Sequence, residues 1–190
     1  SGTWSGVQQG IEYATELNVD VISMSLGGGN GSTYNGVEKA VANSVKLGIV
    51  NAIAAGNSGK NRVGSPGCVP IALTVGAIDK NNNTAYFSSY GTVADKFGGD
   101  GGYTSIDLQK PDIAAPGVNI YAGWKNGGFK SISGTSMATP HIAGVCALLL
   151  SKNPDMTPAQ VKDKVQNASK NGDKDPKQGW GIVDASKVID

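Results

Sequence analysis

Apolar residues recur along the chain with a helical spacing in some segments and in nearly unbroken runs in others. A first helical stripe follows the capping residue Ser5 and consists of Val7, Ile11, Ala14 and Leu17. A second stripe, which Gly48 terminates, consists of Val37, Ala40, Val41, Val45 and Leu47. A third follows the cap formed by Thr157 and Pro158 and consists of Val161, Val165 and Ala168. A spacing of three and four residues predicts amphipathic helices with one buried face.

Strand-like segments lie between the helical ones. Residues 19–26 are typical of a strand that ends in glycines, while residues 49–55 and 72–78 are almost wholly apolar, as in strands buried on both faces of a parallel sheet. Two shorter strand-like segments follow at residues 120–124 and 129–133. This alternation predicts right-handed crossovers and an α/β fold with a mostly parallel central sheet. No repeat or linker divides residues 1–190, so one domain is expected, with a glycine-rich surface stretch at residues 98–102.

Composition narrows the class of protein. With 190 residues, 39% of them hydrophobic, the chain is long enough for one domain with a real core. Only 16% of the residues are charged and 28 are glycines, which favours a compact protein with many tight turns over a disordered one. The net charge of +1 and the lack of a basic run argue against nucleic-acid or membrane-surface binding. No apolar stretch reaches the roughly 18 residues needed to span a bilayer.

The two cysteines carry little functional information. Cys146 lies in an apolar helical segment, residues 142–150, and is most simply a small core residue, while Cys68 falls in a loop with glycine and proline. Their spacing does not match a metal site, and a disulfide between them is the less favoured alternative. Both are therefore expected to be free thiols.

Residues 134–142 (GTSMATPHI) place a serine where a glycine turn becomes an apolar helix. Gly134 permits a close turn, and Ala138 leaves room for a substrate. A helix start has unpaired backbone N–H groups and the positive end of the macrodipole, and both stabilise an oxyanion that forms beside it. Ser136 is therefore a candidate nucleophile. The simpler alternative is that Ser136 or Thr135 only caps the helix.

Residues 134–142 resemble the serine motif of the subtilisin-like serine proteases. Four more segments resemble landmarks of that family, in the family's order: residues 22–28 (ISMSLGG), 54–59 (AAGNSG), 75–77 (VGA) and 111–117 (PDIAAPG). The resemblance spans nearly all 190 residues and implies a three-layer α/β sandwich. It also implies a serine endopeptidase that hydrolyses peptide bonds through an acyl-enzyme intermediate at Ser136.

The acid and the base that this chemistry requires have no visible motif in the chain. In subtilisins the acid comes first along the chain, then the base, then the serine, and the single histidine here is His141. On one helix it would lie about 140° around and about 7.5 Å along the axis from Ser136, so it points away and is expected to be structural. The chain is therefore expected to be the C-terminal two-thirds of a catalytic domain. A segment outside it would supply the aspartate and histidine, and the chain alone is expected to be inactive and its sheet incomplete.

The resemblance assigns further residues to binding. Asn57, otherwise a turn residue, would donate its side-chain amide to the oxyanion together with the Ser136 N–H. The implied substrate-binding residues are Gly2, Trp4, Ser25, Leu26, Gly27, Ala54, Ala55, Gly56 and Gly64. The small side chains among them imply a wide, uncharged pocket that suits large apolar residues, and residues 1–3 would pair with the peptide as an added strand. For Trp4 the alternative is a surface anchor of its own helix.

The chemistry itself needs no cofactor, but structural calcium is common in the family. The weakly signalled ligands are Gly67, Val69, Ala72 and Asp112. For Asp112 the favoured alternative is a strand-end carboxylate satisfied by the protein. The resemblance further implies secretion, peptide or protein substrates, and compatibility with a pro-segment inhibitor. Two other functions remain open: a non-catalytic relative that binds peptides or regulates a partner, and an α/β hydrolase or esterase, which the lack of a Gly-x-Ser-x-Gly elbow disfavours.

Overall fold

The computed structural model describes residues 2–29, 36–93, 109–169 and 173–189, and the predicted glycine-rich stretch at residues 98–102 lies outside them. The strands are β1 (Val21–Met24), β2 (Val50–Ala54), β3 (Leu73–Ile78), β4 (Gly91–Thr92), β5 (Gln109–Lys110), β6 (Ile113–Pro116), β7 (Ile120–Gly123) and β8 (Phe129–Ile132). The helices are α1 (Trp4–Glu16), α2 (Gly36–Lys46), α3 (Thr135–Lys152), α4 (Pro158–Asn167) and α5 (Ala185–Ile189). A short 3₁₀ turn, Lys125–Gly127, joins β7 to β8.

A four-stranded parallel sheet in the order β1-β2-β3-β6 forms the centre of the molecule. Every residue of β2 and β3 is buried, which explains why those two segments are apolar without alternation. The predicted parallel sheet is therefore confirmed. Two small antiparallel pairs, β4 with β5 and β7 with β8, lie apart from it. The apolar pattern predicted β7 and β8 but neither β6 nor the short helix α5.

Helices cover both faces of the sheet. Because successive strand residues point to opposite faces, β2 sends Ala52 to one core cluster and Ile53 to the other. The cluster around Ala52 contains residues of α3, α4 and α5, among them Ile142, Leu149, Val161 and Val188. The cluster around Ile53 contains residues of α1 and α2, among them Ile11, Val37 and Val41. The predicted three-layer α/β sandwich is confirmed.

The cap of helix α1 lies two residues before the predicted one. Thr3 is the capping residue, and its hydroxyl accepts a hydrogen bond from the N–H of Gly6 at 3.1 Å, so the assignment of Ser5 as the cap is wrong. The predicted apolar stripe is only partly covered, because Ile11 is buried while Leu17 is 58% exposed. This helix therefore presents apolar surface that nothing within the described residues covers.

The other predicted helix boundaries agree with the structure. Gly48 follows α2 with φ of +101°, a left-handed conformation that ends a helix. Thr157 caps α4 in a capping box, in which its hydroxyl accepts from the N–H of Gln160 and the Gln160 side chain accepts from the N–H of Thr157. Among the described helices, none combines the length and the hydropathy that crossing a membrane requires.

The two edges of the central sheet differ. At the β6 edge, the N–H of Ala114 donates to the carbonyl of Gly181 at 2.9 Å, and its carbonyl accepts from Val183 at 3.4 Å. At the β1 edge, no strand of the described ranges pairs with the outer side. One edge is thus closed by the chain's own C-terminal part, while the other retains backbone groups that a further strand can pair with.

Both cysteines are unpaired and buried. The burial of Cys146 agrees with its prediction as a core residue, while the burial of Cys68 was not predicted. Burial raises the pKa of Cys146 to about 12. Burial likewise raises the pKa of Cys68 to about 12, and the nearby Glu38 carboxylate, which accepts a hydrogen bond from Sγ at 3.2 Å, adds to this shift. Neither thiol is expected to react at neutral pH while the fold is closed.

Candidate active site

Three segments meet where β1 and β2 end. Residues 25–29 follow β1, residues 55–58 follow β2, and the first turn of α3 approaches from the opposite layer. The carboxyl ends of parallel strands lie at one edge of the sheet, where loops can bring polar groups together. The first turn of α3 and residues 55–58 thus lie at the same end of the sheet.

Ser136 lies in the first turn of α3. Its Oγ donates to the carbonyl of Ser25 at 3.3 Å, and the Ser25 hydroxyl donates to the carbonyl of Ser136 at 2.7 Å. The turn before it is held by the N–H of Gly134, which donates to the carbonyl of Gly117 just after β6 at 2.8 Å. A Cβ on Gly117 would lie 2.8 Å from the carbonyl oxygen of Gly134, so this close approach requires glycine. Two strands of the sheet thus position the serine.

Asn57 is oriented by the residue next to the serine. Its Oδ1 accepts hydrogen bonds from the backbone N–H of Thr135 at 2.9 Å and from the Thr135 hydroxyl at 3.1 Å. The N–H of Gly56 donates to the same hydroxyl at 3.2 Å. Because Oδ1 faces these donors, Nδ2 points the other way, and it donates to no acceptor within the described residues. The amide is therefore held with its N–H groups available to an incoming oxygen.

A cavity of about 270 Å³ joins the serine to the asparagine. Its walls include both of these residues and the predicted pocket residues Ser25, Leu26, Gly27, Ala54, Ala55, Gly56 and Gly64. The floor residue Gly64 lies against one wall, since a Cβ there would be 2.9 Å from the carbonyl oxygens of Gly28 and Gly29. Gly28 and Ser65 join this wall to the floor by paired backbone hydrogen bonds of 2.9 and 3.0 Å.

Arg62 also lines the cavity, and neither the motifs nor the composition pointed to it. The expectation of an uncharged pocket did not take this residue into account. Among the described residues that line the cavity there is no carboxylate. The only signal in the sequence is its position two residues before the floor residue Gly64.

The remaining predicted binding residues lie beside the cavity. Gly2 lines a mainly apolar groove of about 360 Å³ that also contains Met24 and Leu26. Trp4 is 44% exposed, and its ring packs on the wall, with ring carbon Cζ2 3.2 Å from where a Cβ of Gly28 would lie. The ring thus lies against the cavity wall at the start of α1, and its roles as a binding residue and as a surface anchor both remain predictions.

His141 is exposed on α3 and interacts with its own helix. Its Nδ1 lies 2.8 Å from the carbonyl oxygen of Met137. This geometry agrees with the expectation that His141 is not the base for Ser136. Within the described residues, no histidine or carboxylate is in hydrogen-bond contact with the Ser136 hydroxyl, whose acceptor is a backbone carbonyl.

The loop predicted to bind calcium has its oxygens engaged. The predicted ligands are Gly67, Val69, Ala72 and Asp112. The carbonyls of the first two accept hydrogen bonds from a threonine hydroxyl at 2.7 Å and from a backbone N–H at 3.3 Å. The carbonyl of Ala72 and the carboxylate of Asp112 both contact the ammonium groups of Lys110 and Lys162. Asp112 is thus a buried carboxylate whose partners are supplied by the protein.

The charges of this cluster shift one another's titration. Burial alone would raise the pKa of Asp112, but the two neighbouring ammonium groups and the hydrogen bonds outweigh it and lower the pKa. Burial lowers the pKa of Lys110, and the Asp112 carboxylate opposes that shift. Elsewhere in the described part of the chain, no group of three or more His, Cys, Asp or Glu side chains is placed to hold a metal ion.

Comparison with known proteins agrees with this geometry. Residues 1–181 match the profile of the Subtilase family. Subtilisin DY from Bacillus licheniformis is 39% identical over 175 residues, which is 90% of this chain and 57% of that protein. Alkaline elastase YaB from Bacillus sp. (strain YaB) is 37% identical over 185 residues, which is 97% of this chain and 44% of that protein.

The crystal structure of a cold adapted subtilisin-like serine proteinase matches with a TM-score of 0.77 at 34% identity, covering 97% of this chain and 60% of that one. The chain thus spans about half the length of the curated relatives it matches.

Proposed function

The chain belongs to the subtilase family, and on this premise we propose that it carries the nucleophile, the oxyanion hole and the substrate pocket of a serine endopeptidase. One observation carries the proposal. The hydroxyl of Ser136 and the oriented amide of Asn57 line the same cavity, between walls of small residues. Nucleophile, oxyanion donor and side-chain pocket are the three parts that acyl transfer from a peptide needs.

The first step is attack by Ser136 Oγ on the carbonyl carbon of the scissile bond. The carbonyl oxygen becomes an oxyanion, which accepts hydrogen bonds from the side-chain amide of Asn57 and from the backbone N–H of Ser136. Within the described residues the Ser136 N–H donates no hydrogen bond, whereas the N–H groups on either side do: Thr135 N–H donates to Asn57 at 2.9 Å and Met137 N–H to Gly134 at 3.0 Å. The first turn of α3 adds the positive end of the helix dipole.

The intermediate then collapses, the amine leaves, and water hydrolyses the ester at Ser136. These steps need a base that accepts the serine proton and returns it to the amine. In the chain as described, the Ser136 hydroxyl donates to the carbonyl of Ser25, and a peptide carbonyl is far too weak a base for this role. A histidine and an aspartate supplied from outside residues 1–190 complete the mechanism.

The unpaired edge of the sheet supports such a contribution. The outer side of β1 pairs with nothing in the described ranges, whereas the opposite edge at β6 is closed. Apolar surface also remains exposed at Leu17, which directly follows α1, and at Leu148 of α3. A further strand and helix packed at this edge would cover apolar surface and bring side chains to the carboxyl end of the sheet beside Ser136.

The proposal extends to the setting of the enzyme. The resemblance to subtilisins supports action outside the cell on peptide or protein substrates, and a pro-segment as an inhibitor that occupies the same cleft. The rival function is a non-catalytic relative that binds peptides. What favours that rival is that no base among the described residues contacts Ser136. What favours the protease is that Asn57 is oriented for a charge that forms only during catalysis.

Replacing Ser136 by alanine tests the proposal. In the complete protein, Ser136→Ala should abolish peptide hydrolysis while the circular dichroism spectrum and the melting temperature stay close to those of the parent, because only a half-buried hydroxyl is lost. The matched control is Ser58→Ala, which removes another hydroxyl from the cavity wall and should leave most activity. Hydrolysis that survives in Ser136→Ala above a trace would show that Ser136 is not the nucleophile.

A further inference from the structure

Four backbone and carboxylate oxygens converge in the loop before β3. They belong to the carbonyls of Pro70 and Ala72 and to the two carboxylate oxygens of Asp112, which is only 2% exposed. An oxygen-rich cluster with a buried carboxylate needs a cation, because an isolated buried negative charge is strongly unfavourable. In this chain the positive charge at the cluster comes from lysine side chains.

Lys110 fills the centre of the cluster. Its side chain is 0% exposed, and its Nζ lies 2.6 Å from Asp112 Oδ2, 3.1 Å from the carbonyl of Pro70 and 3.0 Å from that of Ala72. An ammonium group has three N–H donors. Each of them has an acceptor here, so the charge is fully hydrogen-bonded inside the protein.

Lys162 of α4 contacts the same two carbonyls and the other oxygen of the Asp112 carboxylate. Its Nζ lies 3.0 Å from Asp112 Oδ1, 2.9 Å from the carbonyl of Pro70 and 3.0 Å from that of Ala72. Its side chain is 18% exposed, so this second ammonium group closes the cluster toward solvent. The two lysines together make six contacts to four oxygens.

Those contacts leave no room for a metal ion. Each of the two carbonyls accepts from both lysines and has only two lone pairs. Asp112 Oδ2 accepts in addition from the N–H of Thr74 at 2.7 Å. Calcium takes six to eight oxygen ligands, and a divalent ion entering here would displace these hydrogen bonds and stand beside two like charges.

We propose that the ammonium groups of Lys110 and Lys162 are the resident cations of this loop, which binds no calcium. They link three parts of the molecule: the loop at residues 70–72, the chain at residues 110–112 that enters β6, and helix α4. The same loop continues back to the pocket floor, where the N–H of Cys68 donates to the carbonyl of Gly64 at 3.0 Å. The two lysines thus brace the loop that leads to the floor of the cavity, whether or not Ser136 is catalytic.

Cys68 is a reporter inside this loop. Its thiol is 2% exposed and becomes accessible only when the loop opens. Cys146, in the core of α3, reports opening of the whole domain and is an internal reference. The purified complete protein is treated with N-ethylmaleimide at mildly acidic pH, and peptide mapping gives the ratio of the Cys68 rate to the Cys146 rate.

The first comparison uses the unmodified protein, in EDTA or in about 10 mM CaCl₂, which saturates sites with the affinity typical of extracellular calcium modules. We expect the same ratio in both solutions. Calcium that slows Cys68 about fivefold or more relative to Cys146 would place a calcium ion on the loop and overturn the proposal.

The second comparison removes the charges one at a time. Lys110→Met leaves Asp112 with half of its buried pair and should raise the ratio by about tenfold or more, since breaking such a pair is strongly destabilising. If this variant does not fold, Lys162→Met at the partly exposed position makes the same test with a smaller increase. The control is Lys164→Met on the same helix, which should leave the ratio unchanged. Ratios in both cluster variants that match the parent would refute the role of the lysines.

Discussion

At the scale of single residues, the role of Asn57 depends on how its side-chain amide is oriented. Thr135 fixes the amide from two directions, through its backbone N–H and through its hydroxyl, at 2.9 and 3.1 Å. An amide that is already turned toward the cavity pays no reorganisation cost when the oxyanion forms, and this preorganisation is what makes such donors effective. Thr135 is therefore a positioning residue as well as the first residue of α3.

Replacing Asn57 by alanine should lower kcat by about 10²–10³ with little change in KM, which is the loss seen when the equivalent donor is removed from a subtilisin. The physical reason is that the amide interacts with charge that develops in the transition state and hardly at all with the bound substrate. Steady-state kinetics of the complete enzyme on one peptide substrate measure both constants. A KM that rises as much as kcat falls would assign Asn57 to substrate binding instead.

Arg62 adds to the expected specificity at the same scale. The small wall residues favour a large apolar side chain before the scissile bond, and the positive charge of Arg62, a residue that lines the cavity, further disfavours lysine or arginine there. Arg62→Gln should narrow the preference for phenylalanine over lysine by about fivefold, the equivalent of about 1 kcal/mol between charges about 4 Å apart in water. The matched control is Lys60→Gln, at an exposed cation that does not line the cavity. Ratios of kcat/KM for paired peptides decide this, and an unchanged ratio in Arg62→Gln would show that the charge does not reach the substrate.

The residues predicted from motifs and those missed differ in a physical way. Ser136, Asn57 and the wall residues stand in local patterns in which neighbouring residue types already suggest a turn, a cap or a close approach. Arg62 and Lys110 are ordinary charged residues in the sequence. Folding places Arg62 on the cavity with Ser136, and it brings Lys110 to the carbonyls of Pro70 and Ala72, about 40 residues away. The cap of α1 was misplaced for a smaller reason, since Thr3 and Ser5 are both good caps and only the backbone path distinguishes them.

At the scale of elements, the cavity depends on how closely two backbone segments approach. The loop after β1 and the loop before β3 are held together by the pair of hydrogen bonds between Gly28 and Ser65. Gly64 lies inside this contact with no space for a side chain. The depth of the pocket is therefore set by backbone packing and by glycine, in addition to the side chains of the walls.

Gly64→Ala should push these segments apart and raise KM for substrates with a large apolar residue, because the new Cβ would lie 2.9 Å from two backbone oxygens that cannot turn away. The control is Gly10→Ala in the middle of α1, where a Cβ meets nothing within 4 Å and should stabilise the helix by up to about 1 kcal/mol. Kinetics and thermal unfolding of the two variants side by side make the comparison. A Gly64→Ala enzyme with the parent's KM would mean that the substrate does not use this floor.

The helices and strands that could be predicted from the sequence are the long and well-buried ones. Strands β2 and β3 lie between two helical layers, so their sequences are apolar throughout and their bounds were found within a residue or two. Strand β6 has only four residues, the last of which is Pro116. Helix α5 has five residues, which is too short for a helical period to show. Those two elements form because the sheet and α3 provide surfaces for them to pack on.

At the scale of the whole molecule, the described chain has a nucleophile without a base and a sheet with one open edge. One additional segment would supply both the base and the missing edge strand. A segment that adds a strand at β1 covers the exposed apolar surface and places new side chains at the carboxyl end of the sheet, where Ser136 lies. Residues 1–190 without such a segment should aggregate or remain partly unfolded, because an unpaired edge and uncovered apolar surface both favour association.

The most direct test of this account is labelling of Ser136 with a fluorophosphonate probe, which reacts only with a serine that is activated by a base. The isolated 190-residue chain and the same chain together with the segment that carries the aspartate and histidine are compared, with Ser136→Ala as the blank. We expect no labelling of the isolated chain. Once the segment is supplied, we expect labelling at Ser136, which peptide mapping locates. A soluble, monomeric 190-residue chain that labels at Ser136 and cleaves peptides unaided would contradict it.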